Sequence, residues 1–206
     1  MPQSSNIYFR LILIIPLLIL LFVINTVIIE KDFSMDSNFS SYVSEDIVNP
    51  DLTGFMRFMT ALGDHEIVVG IYILLILLLL FVWEDKAKAM KVPLIGFSAL
   101  GLMYLLKNLF ARERPEFTLL HASGFSFPSG HSLNSMVLYG LIIFVVNKYV
   151  SNVYLKIALI GLLVCVVLLI GFSRIYLGVH YLTDVLAGFC CGLLWLSLAL
   201  YLAKFD

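Results

Sequence analysis

Three basic side chains in this sequence stand near the ends of apolar segments, where a charge is costly unless it meets a partner. The stretch KNLFARERP contains Lys107 and Arg114, and the stretch SRIYLGVHYLTD contains Arg174. A charge at the centre of a bilayer costs about 2.5–3.5 kcal/mol on insertion scales, so we expect these groups to face one another or a wet cleft. Two forked guanidinium groups and one ammonium group suit a dianionic phosphate. The pattern therefore favours a phosphate-binding cluster.

The hexapeptide FPSGHS, residues 127–132, can add donors without adding charge. By itself it could be an ordinary helix start with Ser129 as the N-cap. Beside a cationic cluster it has a second interpretation, because the backbone N–H groups of Ser129 and Gly130 at a helix N-terminus can approach an anion closely. His131 would then stand next to that anion. We predict that Ser129 and Gly130 contribute to phosphate binding.

His180 and Asp184 are four residues apart, so on a helix they would share one face. The carboxylate could hold the imidazole in one tautomer and stabilise its positive form, leaving the other ring nitrogen free to attack phosphorus. Two structural alternatives stay open: a hydrogen bond on a helix face for this pair, and an ion pair between Arg174 and Asp184. Neither explains why three polar clusters would meet at one face of the membrane.

Metal-assisted chemistry finds little support, because carboxylates are sparse near these clusters. The clusters offer only Glu113, Glu116 and Asp184, whereas two-metal phosphatases hold their ions largely through carboxylates. The sequence DHE, residues 64–66, is a further set of possible ligands, but adjacent side chains on a helix point apart and we expect a loop there. We therefore expect neither a metal nor another cofactor.

The elements that must position these residues are transmembrane helices. Of the 206 residues, 61% are hydrophobic and 13% are charged, whereas a soluble domain is about half apolar and about a quarter charged. A spanning helix needs about 20 mostly apolar residues. Segments that meet or approach this length are Leu11–Ile29, Ile67–Trp83, Val92–Phe110, Ser132–Val146, Leu155–Phe172 and Val185–Ala203. We predict an all-α integral membrane bundle of six transmembrane helices, forming a single domain over residues 1–206.

The segment of residues 30–66 lies between the first two predicted spans. It places Phe55, Phe58, Met59 and Leu62 at helical spacing. That spacing predicts a short amphipathic helix at the outer membrane interface. A plain polar loop is the alternative.

The distribution of lysine and arginine over the short connections predicts the orientation. With a cytoplasmic N-terminus, the cytoplasmic connections contain Arg10, Lys86, Lys88, Lys91, Lys148, Lys156 and Lys204. The outer connections contain only Lys31 and Arg57 outside the motif regions. We therefore expect a multi-pass membrane protein with both termini in the cytoplasm and the polar clusters at the extracytoplasmic face.

The clusters together form the pattern K-x6-RP, PSGH and SR-x5-H-x3-D, which is complete in this sequence. Its fixed positions are Lys107, Arg114, Pro115, Pro128, Ser129, Gly130, His131, Ser173, Arg174, His180 and Asp184. The sequence thereby resembles the type 2 phosphatidic acid phosphatase superfamily of membrane lipid phosphatases. The motifs cover residues 107–184, and the six-helix layout extends the similarity across nearly the whole chain.

The resemblance implies a role for each motif residue. His180 would be the nucleophile that forms a phosphohistidine, Asp184 its orienting partner and His131 the general acid. The phosphoryl oxygens would be bound by Lys107, Arg114, Ser129, Gly130 and Arg174. The substrate would be a lipid phosphate or diphosphate among the membrane lipids, such as phosphatidylglycerol phosphate, undecaprenyl diphosphate or phosphatidate. Arg112 and His121 lie outside the pattern and receive no role.

Other function classes are disfavoured. The net charge of -1 and the lack of a basic arm give no indication of nucleic acid binding. Cys165, Cys190 and Cys191 lie in apolar runs and are interpreted as packing residues. Vanadium haloperoxidases share the motif pattern but are soluble. A non-catalytic lipid-phosphate binder or transporter remains the alternative, although binding alone needs neither a nucleophile nor a proton donor.

Overall fold

The computed structural model of the chain describes residues 3–116 and 118–204, most of which lie in α-helices. The helices are α1 Gln3–Ile24, α2 Ser34–Tyr42, α3 Pro50–Ala61, α4 His65–Phe81, α5 Lys86–Phe110, α6 Gly130–Tyr149, α7 Val153–Tyr176 and α8 Leu182–Leu202. Short π-helical segments, Asn25–Ile29 and Val43–Ile47, follow α1 and α2. The described part of the chain contains no β-strand. The all-α architecture predicted from the sequence is confirmed.

Four of the helices, α5 to α8, are each long and apolar enough to cross a membrane. The other two predicted spans belong to bent pairs of helices. One pair joins Leu13–Ile29 to Ser34–Ile47 at 99°, and the other joins Pro50–Ala61 to His65–Phe81 at 50°. Counting each bent pair as one span gives the six transmembrane passages that the hydropathy pattern predicts.

The segment between α1 and α4 contains more structure than the single amphipathic helix that was predicted. The predicted helix corresponds to α3, but its apolar face is only partly correct, because Met59 is buried whereas Phe55 and Phe58 are exposed. Packing against α7 decides which side of α3 is buried, and that side includes Met56. The second helix, α2, was not predicted. It carries the fully buried Asp36.

At the centre of the bundle, α6 packs against α4, α5, α7 and α8. The approach of α8 is closest at Gly188 and Gly192, which are one turn apart. A Cβ atom at Gly188 would lie 2.6 Å from the Ser129 carbonyl oxygen, and one at Gly192 would lie 2.7 Å from that of Leu133. Small residues at a helix crossing let the two backbones come together. This close contact sets the start of α8, with Asp184, beside the start of α6.

The helix ends that carry the three motifs lie at the same end of the bundle. Helix α5 ends where Ala111 adopts a left-handed backbone conformation with φ of 45°. The chain then runs through an irregular loop to the start of α6. The end of α7 and the turn between α3 and α4 approach from the other side. These four positions surround a common space.

Candidate active site

A cavity of about 520 Å³ opens among these helix ends. Of the residues predicted to form a site, it is lined by Lys107, Arg114, Gly130, His131, Arg174 and His180. Ser129 and Asp184 are fully buried and lie behind the cavity wall. The wall also includes His121, which lies outside the motif pattern and had no role assigned to it. The structure thus brings the residues of all three motifs together.

His180 and Asp184 meet, but not on a shared helix face as predicted. His180 lies in the loop between α7 and α8, and Asp184 lies in the first turn of α8. Oδ2 of Asp184 is 3.4 Å from Nδ1 of His180 and accepts a hydrogen bond from the Tyr181 N–H at 2.9 Å. The predicted pairing of His180 with Asp184 is confirmed, but the predicted shared helix is wrong. Asp184 caps the start of α8, and the loop before α8 brings the His180 imidazole back to the Asp184 carboxylate.

The contacts of His180 define its tautomer. Nε2 lies 3.3 Å from Nη1 of Arg114. A guanidinium group can only donate hydrogen bonds, so Nε2 accepts and the proton is on Nδ1. Nδ1 faces Asp184 and the Ser126 hydroxyl, whose oxygen is 3.3 Å away. Burial lowers the pKa of His180 to about 3, against the opposing effect of Asp184. The imidazole is therefore neutral at pH 7, with its lone pair on Nε2.

Two residues that the sequence did not single out hold Asp184 in place. Nη1 of Arg112 donates to Oδ1 at 2.7 Å, and the Ser126 hydroxyl donates to Oδ2. Nη2 of Arg112 also donates to Oδ2 of Asp36 at 2.7 Å. The alternative ion pair between Arg174 and Asp184 does not form, because Arg112 occupies that carboxylate. The absence of a predicted role for Arg112 is corrected by this contact.

Thr183 completes a buried ion network with Asp36, Arg112 and Asp184. The backbone N–H of Thr183 donates to Oδ1 of Asp36 at 3.0 Å, and its hydroxyl donates to Oδ2 at 2.5 Å. The Arg112 guanidinium also lies 4.2 Å from the centre of the Tyr181 ring, a cation–π distance. The buried ion network joins α2 to the start of α8. A charged run around Arg112 was visible in the sequence, but no spacing rule connects it to position 36.

Two of the three predicted phosphate-binding cations, Arg114 and Lys107, donate to backbone carbonyl oxygens. Besides His180, Arg114 donates to backbone oxygens, which belong to Ser123, Gly124, Phe125 and Val179. These contacts engage its whole fork of N–H groups. Nζ of Lys107 donates to the carbonyl oxygens of Phe125 at 2.5 Å and Ser126 at 3.4 Å. Both cations therefore shape the loop before α6 while their charges line the cavity.

Arg174 has unused hydrogen-bonding capacity. Its Nη1 donates to the Thr60 hydroxyl oxygen in α3 at 2.5 Å. Its Nε is buried and, among the residues that the structure describes, is the one buried side-chain nitrogen or oxygen without a partner. A buried N–H group without an acceptor costs about 1–3 kcal/mol, and more when it is charged. Arg174 also lines the cavity, so an anion bound there would lie beside its guanidinium group.

The start of α6 departs from prediction at Ser129. Its backbone N–H donates to the Asp184 carbonyl oxygen at 2.9 Å, and its hydroxyl oxygen accepts from the Ser132 N–H at 3.4 Å. The prediction of a free N–H at Ser129 is therefore wrong, because the close packing of α8 uses that group and leaves Ser129 as an N-cap. Gly130 does line the cavity. A Cβ atom there would lie 2.6 Å from Sδ of Met103.

His131, in the first turn of α6, is paired with a carboxylate that was expected to be part of a loop. Its Nε2 lies 2.9 Å from Oδ1 of Asp64. The predicted loop at residues 64–66 is wrong beyond its first residue, because His65 and Glu66 begin α4. Within the described ranges, no three His, Cys, Asp or Glu side chains are grouped so that they could hold a metal ion.

A protein-family model described as the PAP2 superfamily matches residues 88–205, more than half of the chain and all three motifs. The chain belongs to the PAP2 superfamily. Phosphatidylglycerophosphatase B of Bacillus subtilis is similar to it, with 44% identity over 92 residues, which are 44% of this chain and 45% of that protein. The lipid A 1-phosphatase of Rhizobium etli is 32% identical over 167 residues, covering 69% of this chain and 67% of that protein. The match to the first relative thus spans less than half of its length.

Solved structures of PAP2 proteins share the fold. A crystal structure of a transmembrane PAP2 type phosphatidylglycerolphosphate phosphatase from Bacillus subtilis has a TM-score of 0.84 at 29% identity, covering 93% of this chain and 96% of that chain. The structure of LpxE from Aquifex aeolicus has a TM-score of 0.66 at 23% identity, covering 82% and 97%. The second match is a likeness of fold alone. This PAP2 chain therefore has the multi-span fold of membrane lipid phosphatases.

Proposed function

We propose that this chain is a membrane lipid phosphatase that removes the terminal phosphate of a lipid phosphate or diphosphate through a phosphohistidine intermediate. The observation that carries the proposal is a cavity in which three cations face a neutral, buried His180. The cations are Lys107, Arg114 and Arg174. The position of the Arg174 guanidinium group in the cavity wall supports an anionic ligand, because phosphoryl oxygens accept hydrogen bonds from such groups.

In the first chemical step, the lone pair on Nε2 of His180 forms a bond to phosphorus as the bond from phosphorus to the leaving oxygen breaks. The electron pair of that bond moves to the leaving oxygen, which takes a proton from His131. Asp184 stabilises the positive charge that develops on the His180 ring. The cations of the cavity stabilise the charge on the other phosphoryl oxygens.

In the second step, a water molecule attacks phosphorus and transfers a proton to His131. The nitrogen–phosphorus bond breaks, and its electron pair returns to Nε2 of His180. The products are inorganic phosphate and the original state of both histidines. The reaction consumes only water besides the lipid.

An apolar groove beside the cavity supports a lipid as the substrate. The groove has a volume of about 370 Å³ and lies between α4 and α5, where its wall includes Tyr72, Ile73 and Phe97. Residues common to the groove and the cavity are His65, Val68, Leu100 and Asn134. A phosphate in the cavity can therefore be continuous with a hydrocarbon chain in the groove. Burying such a chain contributes about 0.8 kcal/mol per CH₂ group.

The orientation and the preferred lipid complete the proposal. The basic residues of the connections support cytoplasmic termini and an extracytoplasmic site. The names of the Bacillus subtilis relatives make phosphatidylglycerol phosphate the first substrate to test. Phosphatidate and undecaprenyl diphosphate present the same terminal phosphate to the cavity.

The experiment that tests the function measures phosphate release by the purified protein in liposomes that contain one of these three lipids. We expect release that persists in a chelator and is inhibited by vanadate, which can adopt the pentacoordinate geometry of the transition state of phosphoryl transfer. The His180→Ala protein is the control for contaminating phosphatases. Lipid-phosphate binding without phosphate release would indicate the non-catalytic binder or transporter instead. Activity that a chelator removes and magnesium restores would contradict a metal-independent reaction.

A further inference from the structure

Asp64 occupies the N-cap position of α4, yet its side chain does not cap that helix. Aspartate is favoured at N-caps because its carboxylate accepts a hydrogen bond from a backbone N–H in the first turn. Here Oδ1 instead lies 2.9 Å from Nε2 of His131, 67 positions along the chain. The side chain has a local partner available and contacts a site histidine instead.

The α3–α4 turn, taken together with the last two residues of α3 as residues 60–64, is attached to the site at several points. The Thr60 hydroxyl oxygen accepts from Nη1 of Arg174 at 2.5 Å. The Leu62 carbonyl oxygen accepts from the Tyr139 hydroxyl at 3.0 Å. These contacts connect the turn to both α7 and α6. Asp64 is thus presented to the cavity from a fixed backbone.

The His131 ring is held along one edge by this turn. Asp64 occupies Nε2, and Gly63 packs so closely that a Cβ atom there would lie 2.9 Å from the adjacent Cδ2. Nδ1, across the ring, is the nitrogen left to exchange a proton with a substrate. The arrangement is the reverse of that at His180, whose Nδ1 faces Asp184 and whose Nε2 carries the lone pair.

A protonated His131 needs a nearby negative charge. Arg114 and Arg174 line the same cavity and disfavour a further positive charge there. Asp184 is already engaged by Arg112 and Ser126. Asp64 is the carboxylate in direct contact with the ring.

We propose that Asp64 is a positioning residue for proton transfer: it orients His131 through Nε2 and stabilises its protonated ring, so that Nδ1 can protonate the leaving oxygen. The inference rests on the proposed function, because it requires His131 to act as the general acid. The site then contains two carboxylate–imidazole pairs that hold opposite ring nitrogens. One pair prepares a nucleophile and the other a proton donor.

The test compares turnover of a lipid phosphate with that of an aryl phosphate, whose leaving oxygen is a weak base and needs little protonation. We expect Asp64→Asn to lower kcat for the lipid phosphate more than about tenfold, since general acid catalysis typically contributes about 100- to 10,000-fold. The kcat for the aryl phosphate should fall much less, and KM for both substrates should change little. Glu66→Gln is the matched control. It removes an exposed charge from the same helix start and should behave like the parent.

The ratio of the two turnover rates does not depend on how much of a preparation is folded, so poor folding cannot mimic the expected result. In a His131→Ala background, Asp64→Asn should have no further effect on that ratio. An equal loss on both substrates, or an effect that persists without His131, would overturn the role of Asp64. If His131→Ala itself loses turnover equally on both substrates, the general acid assignment is wrong, and the inference about Asp64 is wrong as well. If His131→Ala loses more turnover on the lipid phosphate than on the aryl phosphate and Asp64→Asn does not, the role of Asp64 is wrong while the general acid assignment stands.

Discussion

Nη1 of Arg112 lies 2.7 Å from Oδ1 of Asp184, so the carboxylate that faces His180 is itself held by a buried cation. The same guanidinium group is 2.7 Å from the carboxylate of Asp36, and all three side chains are nearly inaccessible to solvent. Charges removed from water in this way are tolerated only when they are paired. Arg112 therefore supports both the fold and the electrostatic setting of His180.

Replacing Arg112 should destabilise the protein strongly. Arg112→Ala leaves the carboxylates of Asp36 and Asp184 without their cation, and removing one partner of a buried ion pair typically costs about 3–5 kcal/mol. We expect a large drop in the thermal unfolding midpoint in detergent. Arg57→Ala is the control, because Arg57 is exposed and donates to the Leu119 carbonyl oxygen at 2.8 Å. Equal midpoints for the two variants would show that the buried ion network is not stabilising.

Replacing each of the two histidines should reduce turnover in a way that depends differently on the substrate. His180→Ala should abolish turnover of lipid and aryl phosphates alike, because it removes the nucleophile on which both reactions would depend. His131→Ala should recover part of its activity with an aryl phosphate. It should also accumulate phosphoenzyme, because the base for water attack is missing. The assignment is reversed if trapped phosphate is found on His131, or if folded His180→Ala turns over lipid phosphate near the parent rate.

His180 should make the folded state less stable as the solution becomes acidic. Burial lowers its pKa to about 3, compared with an ordinary value of 6.5. Between these values the unfolded chain binds more protons at this residue than the folded chain does, so stability falls as pH decreases from about 6.5. The thermal midpoint of the parent should therefore drop between pH 7 and pH 4 by more than that of His180→Asn. Identical pH profiles for the two proteins would contradict burial of a neutral imidazole.

The motif residues could be predicted from the sequence because phosphate chemistry restricts residue types, and because these residues occur in short stretches at the ends of apolar runs. Arg112 and Ser126 lie within or beside the same stretches, yet their importance depends on which carboxylate they reach. The contacts of Asp36 and Asp64 could not be predicted, since their partners lie 76 and 67 positions away. Only the packing of the helices brings them together.

The helices likewise divide into those that local sequence predicts and those that depend on long-range contacts. Long apolar runs predicted the membrane passages because length and hydropathy suffice for that conclusion. Helix α2 was missed because Ser34–Tyr42 is polar and its helical face is set by a buried contact. At Ser129 the local pattern fits both an N-cap and a backbone N–H that donates a hydrogen bond to an anion. The approach of α8 decided between them by using the free N–H.

Filling the apolar groove should affect lipid substrates selectively. Ile73→Trp places a larger side chain in the groove wall. It should raise KM for a long-chain lipid phosphate by about tenfold or more, because the hydrocarbon chain would bury less surface in the groove. KM for a short-chain, water-soluble phosphate should not change. Leu168→Trp, on the exposed surface of α7, controls for the insertion of tryptophan into the lipid-facing surface. Equal effects on long and short chains would argue against the groove as the chain-binding site.

The proposed orientation can be checked by cysteine labelling in intact cells. In a background without Cys165, Cys190 and Cys191, a membrane-impermeant reagent should label a cysteine at Asn38 but not one at Lys86. Both positions are exposed in the fold, so accessibility from the medium decides the result. Permeabilised cells, in which both should react, are the control. Labelling at Lys86 alone would place the site in the cytoplasm.

The buried ion network joins residues that lie far apart in the sequence, so we expect it to form only late in synthesis. Asp36 emerges early, Arg112 follows, and Thr183 is 147 positions beyond Asp36. A nascent chain that has inserted only as far as α7 possesses the cations of the cavity but lacks Asp184, and hence has no carboxylate to hold His180. On the proposed mechanism, phosphoryl transfer therefore requires the last helix of the bundle. We expect ribosome-bound intermediates in the membrane to be inactive toward the surrounding lipids until the whole bundle has assembled.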